Sequence, residues 1–378
     1  MKIYYIANAR MPTEKAHGIQ IAEMCEAFIE AGVDVTLIVP RRTADPRSVR
    51  EYYGLRTDVP VRRLPVLPFY NGERAGFSIA SLSFMCSAAV FLLLRRVKSS
   101  SDVIYTVDMD TFSFTPLPLF GMPCFIEIHG QKPSTSVTRY FFRHARGVIV
   151  TNTEIERAIS GTFNLPTQKL LVEPNGADLS AYKNLPSKEE ARRQLGLPLH
   201  ERTALYIGRF YEWKGLEILP AAARLQPDVA WYAVGGDAKE FAKISGVSDI
   251  PANMHCTGSR PAQEIPLWLA AADVLLILGT KNNIDSYRYT SPMKIFEYMA
   301  SCRPVVASRT PALASIIPES DVVWYEPDDA HDLARVVNDA LHAPNDVRLM
   351  HARNMAEAHS WGNRAARILA FIEANFSL

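Results

Sequence analysis

Short, strongly apolar runs alternate with helix-length segments along this chain. KIYYIAN, DVTLIVP, DVIYTV, CFIEIH, GVIVTN and LLVEPN occupy the stretch from Lys2 to Asn175. ALYIGR, AWYAVGG, MHCTGS, DVLLILG, RPVVAS and DVVWYEP follow between Ala204 and Pro327. Runs rich in Val, Ile and Tyr with helices between them are strands covered on both faces, the condition of a parallel sheet. Two such series predict an α/β protein of two Rossmann-like, doubly wound domains. The seam is expected in DLSAYKNLPSKEEARRQLGLPLHERT, which is polar and carries Pro186 and Pro198. This places domains at 1–182 and 183–360. A closing helix at 361–378 follows, because Ala365, Ile368, Leu369 and Ile372 fall at helical spacing.

Glycines and polar residues gather at the ends of the proposed strands. His129-Gly130, Asn152, Asn175-Gly176, Gly208-Arg209, Gly235-Gly236 and Gly279 all follow one. Ligands of open α/β sheets bind at those carboxyl ends, near the switch in strand order. The functional edges of both domains are therefore expected there, facing each other across a cleft.

Composition narrows the classes. A chain of 378 residues with 48% hydrophobic and 21% charged residues is an ordinary globular protein of two-domain size. Its formal net charge of +1 speaks against a nucleic-acid footprint. The five cysteines (Cys25, Cys86, Cys124, Cys256, Cys302) form no C-x-x-C pair. They read as reduced, mostly buried thiols in a cytoplasmic setting, and no structural metal site is expected. MKIYYIANARMPTEK runs straight into a strand, without the charged-then-apolar order of a leader. Phe77 to Leu94 is an uncharged stretch of spanning length, diluted by serines. It is read as a core-facing helix with a basic end. The second reading is a peripheral contact at the inner membrane face, with Arg95, Arg96 and Lys98 near head groups.

Two stretches carry chemistry. In LYIGRFYEWKGLEILPAA, Gly208 ends a strand, and Arg209 and Lys214 flank the turn before a helix. Two cations at such a place suit a diphosphate, the arginine with planar donors and the lysine as a compact charge. In YTSPMKIFEYMASCRPVV, Ser291 fits a helix N-cap and Pro292 the first helical position. Pro292, Ile295, Phe296 and Met299 form the inward stripe, and Lys294 and Glu297 share another face. Amides at Ser291, Met293 and Lys294 would meet an anion, and Glu297 would clamp two vicinal ribose hydroxyls. YTVDMDT offers Asp108 and Asp110 at a spacing some metal-dependent transferases use, but two aspartates after a strand read better as hydrated or capping residues.

Taken together, these segments resemble the retaining glycosyltransferases of family 4, whose architecture is GT-B. PNGADLSAY, LYIGRFYEWKG, TGSRPAQEIPLWLAAADVLLILG, FEYMASCRPVVAS and YEPDDAHDLARVV stand in the order such enzymes use. KAHGIQIAEMCEAFIEAGVDVTLI and IEIHG match in the first half. The resemblance implies that Arg209 and Lys214 contact the donor diphosphate, that Glu297 binds the ribose, and that His129 positions the donor sugar. It implies that His17 and Gly18 belong to a loop near the phosphate or acceptor, and that the last helix crosses back onto the first domain. It also implies retention without a metal. One position departs: the family commonly carries two glutamates, and where the first would stand this chain has Tyr289. A phenol cannot grip two hydroxyls as a carboxylate does, so Asp285 is the candidate substitute.

The expected function is transfer of a sugar from a UDP- or GDP-linked donor to a saccharide or lipid-linked acceptor, in cell-surface polysaccharide or glycolipid synthesis. The nucleotide sugar is a substrate, and no cofactor is expected. Two other readings are a non-catalytic nucleotide-sugar-binding subunit, suggested by Tyr289, and a nucleotide-sugar epimerase on the same fold.

Overall fold

The computed structural model describes residues 1–42, 45–69, 74–94, 102–107, 117, 121–343 and 345–376. Arg95, Arg96, Lys98, Asp108 and Asp110 lie outside them. The chain divides into two compact units, Met1–Gly176 with Trp361–Leu378, and Ala177–Ser360. The break thus falls at 176/177 and not at 182/183, and the polar seam belongs wholly to the second unit. The physical reason is a helix, Lys188–Leu195, closed by a reciprocal cap between Ser187 and Glu190. Its Arg192 is buried, donating to Asp273 at 2.7 Å and to the carbonyls of Leu199 at 2.8 Å and Ala271 at 3.0 Å. One buried cation turns a linker-like sequence into part of a domain.

In the first unit, β1 (Lys2–Ile6), β2 (Asp34–Pro40), β3 (Val61–Leu64), β4 (Asp102–Val107), β5 (Cys124–Ile128), β6 (Gly147–Val150) and β7 (Leu170–Val172) form one parallel sheet, ordered β3-β2-β1-β4-β5-β6-β7. Ile6 pairs with Ile38 on one side and Thr106 on the other. The edge strand β3 is VRRL, with Arg62 and Arg63 exposed.

In the second unit, β8 (Arg202–Ile207), β9 (Val229–Val234), β10 (Met254–Cys256), β11 (Val274–Ile277), β12 (Val305–Ser308) and β13 (Val323–Tyr325) form a second parallel sheet, ordered β10-β9-β8-β11-β12-β13. Successive residues of one strand feed opposite cores. Leu205, Ile207, Leu275 and Ile277 pack with Ile295 and Met299, whereas Ala204, Tyr206, Val274 and Leu276 pack with Leu333 and Val337. In each sheet the order reverses beside its first strand, between β1 and β4 and between β8 and β11. Those are the places where a doubly wound sheet opens a crevice.

The apolar helix spans Arg74–Leu94. Ala80, Phe84, Ala88 and Leu92 are buried, whereas Ala75, Ile79, Leu82, Cys86, Val90 and Leu93 form an exposed stripe at helical spacing. The expected core-facing helix therefore faces the core on one side only. Its inner side meets the sheet through Phe91 edge-on to Tyr4, and through Ser81, which accepts from Asn8 at 2.9 Å. By length and composition Ala75–Leu94 could cross a membrane, and 28% of that window is buried. Cys86 lies on the outer stripe, and of the cysteines only Cys25 and Cys124 are buried, fewer than expected.

The closing helix, Trp361–Asn375, belongs to the first unit. Ala365, Ile368 and Ile372 are fully buried, and Phe371 meets Phe125 edge-on at 6.1 Å.

Candidate functional site

The loop leaving β8 lies against the turn leaving β9. The Gly208 amide donates to the Val234 carbonyl at 2.9 Å. Gly235 has φ of +149°, and a Cβ there would sit 1.9 Å from the Gly208 carbonyl oxygen. Only glycine permits this approach. Beyond it, Arg209 is exposed, and a 3₁₀ turn, Glu212–Lys214, carries the lysine. Lys214 Nζ sits 4.0 Å above the Trp213 ring, which stacks on Tyr211. Burial, and then the neighbouring Lys294 charge, bring the Lys214 ammonium down to about 8. Lys214 is thus a desolvated cation in the field of a second one, a condition that a bound anion relieves.

The turn packs beside a π-helical stretch, Asp285–Tyr289, in the loop leaving β11 on the other side of the switch point. Such stretches are rare and recur at functional sites. Asp285 is exposed at its start, and Tyr289 is buried at its end. The following helix runs Lys294–Ala300, starting later than Ser291 and Pro292 suggested. Its first turn is tight: the Ile295 and Phe296 amides reach back to the Pro292 and Met293 carbonyls at 3.2 and 3.3 Å. Met293 holds the cap position in helical backbone without a side-chain cap, so Ser291 is not the N-cap. With so short a helix, the attraction for an anion comes from the cations.

Ile295, Phe296 and Met299 point inward as the spacing requires. Tyr298, not anticipated, is buried with them. Its hydroxyl accepts from the Ile207 amide at 2.9 Å and donates to the Ile207 carbonyl at 3.1 Å. It is a strut between the helix and the strand end just before Gly208. Glu297 turns to Tyr182 of the PNGADLSAY stretch. Burial first, and then the Glu297 charge, push the Tyr182 phenol far up, so it stays protonated and donates to the carboxylate. Tyr182 and Tyr298 were invisible as site residues because tyrosines at apolar spacing read as core.

In the first unit, the helix Ala16–Glu30 brings His17 and Gln20 to the carboxyl end of β5. His129 Nε2 lies 2.7 Å from Glu127 Oε1. Burial, then the charges of Lys15 and His129, bring His17 down to about 4, so it is a neutral imidazole at pH 7. A Cβ on Gly18 would fall 2.2 Å from the Tyr53 hydroxyl and 2.5 Å from Thr13 Cγ2. The close approach expected of a ligand is therefore made by Tyr53, which bonds both the amide and carbonyl of Thr13. Among the described residues no group of three or more His, Cys, Asp or Glu is arranged to hold a metal ion.

The order of the two sheets defines a GT-B protein. Residues 16–176 match the glycosyl transferase 4-like domain, and residues 187–360 match glycosyl transferases group 1. The chain belongs to the family 4 type of glycosyltransferases. It is 25% identical over 89% of its length to TuaC of Bacillus subtilis, a protein named for teichuronic acid biosynthesis, covering 88% of that protein. It is 24% identical to a D-inositol 3-phosphate glycosyltransferase of Thermobispora bispora, covering 93% of this chain and 87% of that one. Sucrose-phosphate synthase of Thermosynechococcus elongatus shares the fold with a TM-score of 0.77, at 20% identity over 100% of this chain and 99% of that one. Anabaena HepE, solved with UDP and glucose, does so with a TM-score of 0.73 at 18% identity, over 99% and 100%.

Replacing Tyr298 with Phe removes both bonds of the strut without changing its shape. The variant is expected to lose about 1–3 kcal/mol of stability, read from urea unfolding. A variant as stable as the parent would show that Tyr298 merely fills space.

Proposed function

We propose that this glycosyltransferase moves a sugar from a UDP- or GDP-linked donor to a hydroxyl of a saccharide or lipid-linked acceptor, with retention. The observation that carries this reading is the turn with Lys214 packed beside the Asp285–Tyr289 stretch at the β8/β11 switch point. Lys214, Lys294 and Arg209 take the diphosphate and share the charge that grows on it as the glycosidic bond breaks. This gives the leaving group cationic support from the chain itself. Glu297, oriented by Tyr182, accepts from the ribose hydroxyls. Gly208, Ser291, Pro292 and Met293 let backbone approach the phosphates, and Tyr289 and Asp285 stand at the sugar end. His129 positions the transferred sugar, and His17 belongs to the acceptor side. The UDP complexes of HepE support a uridine donor, and the names of TuaC and the inositol enzyme support a polysaccharide or glycolipid product.

A lipid-linked acceptor fits the outer stripe of Arg74–Leu94, which meets an anionic membrane surface in this reading. Ile79, Leu82, Val90 and Leu93 are about half exposed or more, and Leu67 and Phe69 are exposed alongside. From 60 to 100 the sequence holds Arg62, Arg63, Arg74, Arg95, Arg96 and Lys98 against a single acid, Glu73. An apolar face with basic flanks suits anionic head groups.

Only charged Lys214 attracts a diphosphate, so its titration sets a pH limit. Affinity for a nucleoside diphosphate should be steady up to about pH 8 and fall above it, because there the free protein loses the proton. Lys214→Arg should abolish the bend, since a guanidinium stays charged. A flat profile in the parent, or an unchanged bend in the variant, would remove Lys214 from the diphosphate.

The membrane reading predicts co-sedimentation with vesicles containing phosphatidylglycerol, little binding to pure phosphatidylcholine, and release by high salt. The double substitution Leu82→Glu, Val90→Glu should weaken binding at least about tenfold, each buried apolar side chain contributing on the order of 1.5–3 kcal/mol. Binding that survives the substitutions contradicts it, as does a dimer that the same substitutions dissolve.

A further inference from the structure

Glu127 lies near the carboxyl end of the otherwise apolar strand β5 and is fully buried. Four side chains converge on it. Oε1 receives Gln20 Nε2 at 2.9 Å, His129 Nε2 at 2.7 Å and Arg364 Nη2 at 2.7 Å. Oε2 receives the Tyr105 hydroxyl and Arg364 Nη1 at 3.3 Å. Arg364 is equally buried and comes from the closing helix, where its Nε also donates to the Pro174 carbonyl at 2.7 Å.

We propose that Glu127 is a positioning residue, fixing the His129 ring with Nε2 as donor, and that Arg364 holds Glu127 in place to do so. Chemistry leaves one sense for the hydrogen bond. Burial alone would raise the Glu127 carboxyl, but the Arg364 guanidinium and the His129 bond outweigh it and hold it well below the usual carboxylate range. An ionised carboxylate only accepts, so the shared hydrogen belongs to Nε2, and Nδ1 is the nitrogen left for a ligand. Of the four partners, His129 alone reaches the surface, its side chain 31% exposed.

A purely structural role accounts for less. Buried ion pairs are commonly replaceable by apolar groups of similar volume without loss of stability. Stability alone does not call for a carboxylate oxygen aimed at a surface histidine. The arrangement does what an orienting acid does for a working imidazole: it selects the tautomer and stops the ring from turning. It also makes the last segment of the chain part of the machinery, since without Arg364 the carboxylate would be buried and uncompensated.

This inference rests on the assignment of His129 to sugar transfer, and the experiment separates the two. Two neutral pairs are compared with the wild type: Glu127→Leu with Arg364→Met, and Glu127→Gln with Arg364→Met. Nitrogen NMR of histidine-labelled protein, which needs no substrate, should show His129 of the wild type protonated on Nε2. The leucine pair should show mixed tautomers and a kcat lower by about 10²-fold, with the donor KM little changed. The glutamine pair keeps an acceptor for Nε2 and should recover much of both. A neutral wild-type ring protonated on Nδ1 overturns the proposal whether or not either variant folds. So does a folded leucine pair with the parental tautomer and turnover. Should no nucleotide sugar be turned over by the wild type, the proposed function fails while the tautomer still decides this inference.

Discussion

A buried parallel strand admits a polar side chain only where partners satisfy it, and most of this protein follows from that constraint. The central strands of the two sheets lie between layers of helix, so most of their residues go to packing. Chemistry is moved to the loops at the strands' carboxyl ends. There Gly208, Arg209, Lys214 and the Asp285–Tyr289 stretch collect in one unit, and His17 and His129 in the other. The Gly235 approach and the Tyr298 strut are what such an arrangement requires. Loops that carry function are held to the sheet by backbone contacts and by a buried hydroxyl, not by their own length.

The two units treat charge in opposite ways. In the first, Glu127 and Arg364 are buried and mutually satisfied, which orders the residues around them. In the second, burial and then the Lys294 charge lower the hold of Lys214 on its proton.

Much of the fold was legible because the parallel-sheet signal is simple: apolar runs, glycine-bearing ends, helices between. Where that signal is absent the reading failed. VRRL breaks the apolar run, since an edge strand can expose two arginines, and β3 went unseen. The Lys188–Leu195 helix looked like a linker because the partner of Arg192, Asp273, is remote in sequence. Ser291 and Pro292 satisfied a capping rule, but the first turn tightened and the helix began at Lys294. Around the candidate sites, cations and glycines beside strand ends stand out in the sequence, whereas Tyr298 and Arg364 fall at helical spacing that also describes core. Glu127 did leave a mark: an acid inside CFIEIH, where packing offers no reason for one.

In the proposed function the second unit holds a nucleotide sugar through its cations and Glu297. The most direct measurement is thermal unfolding of the protein with UDP, GDP, ADP and their sugar conjugates in turn. A ligand at about 100 times its Kd adds roughly 2.7 kcal/mol, a shift of several degrees. Such a shift is expected for one base and its sugar conjugates, with its loss in Lys214→Met. Folded protein whose unfolding temperature none of these ligands moves would take the nucleotide sugar out of the second unit.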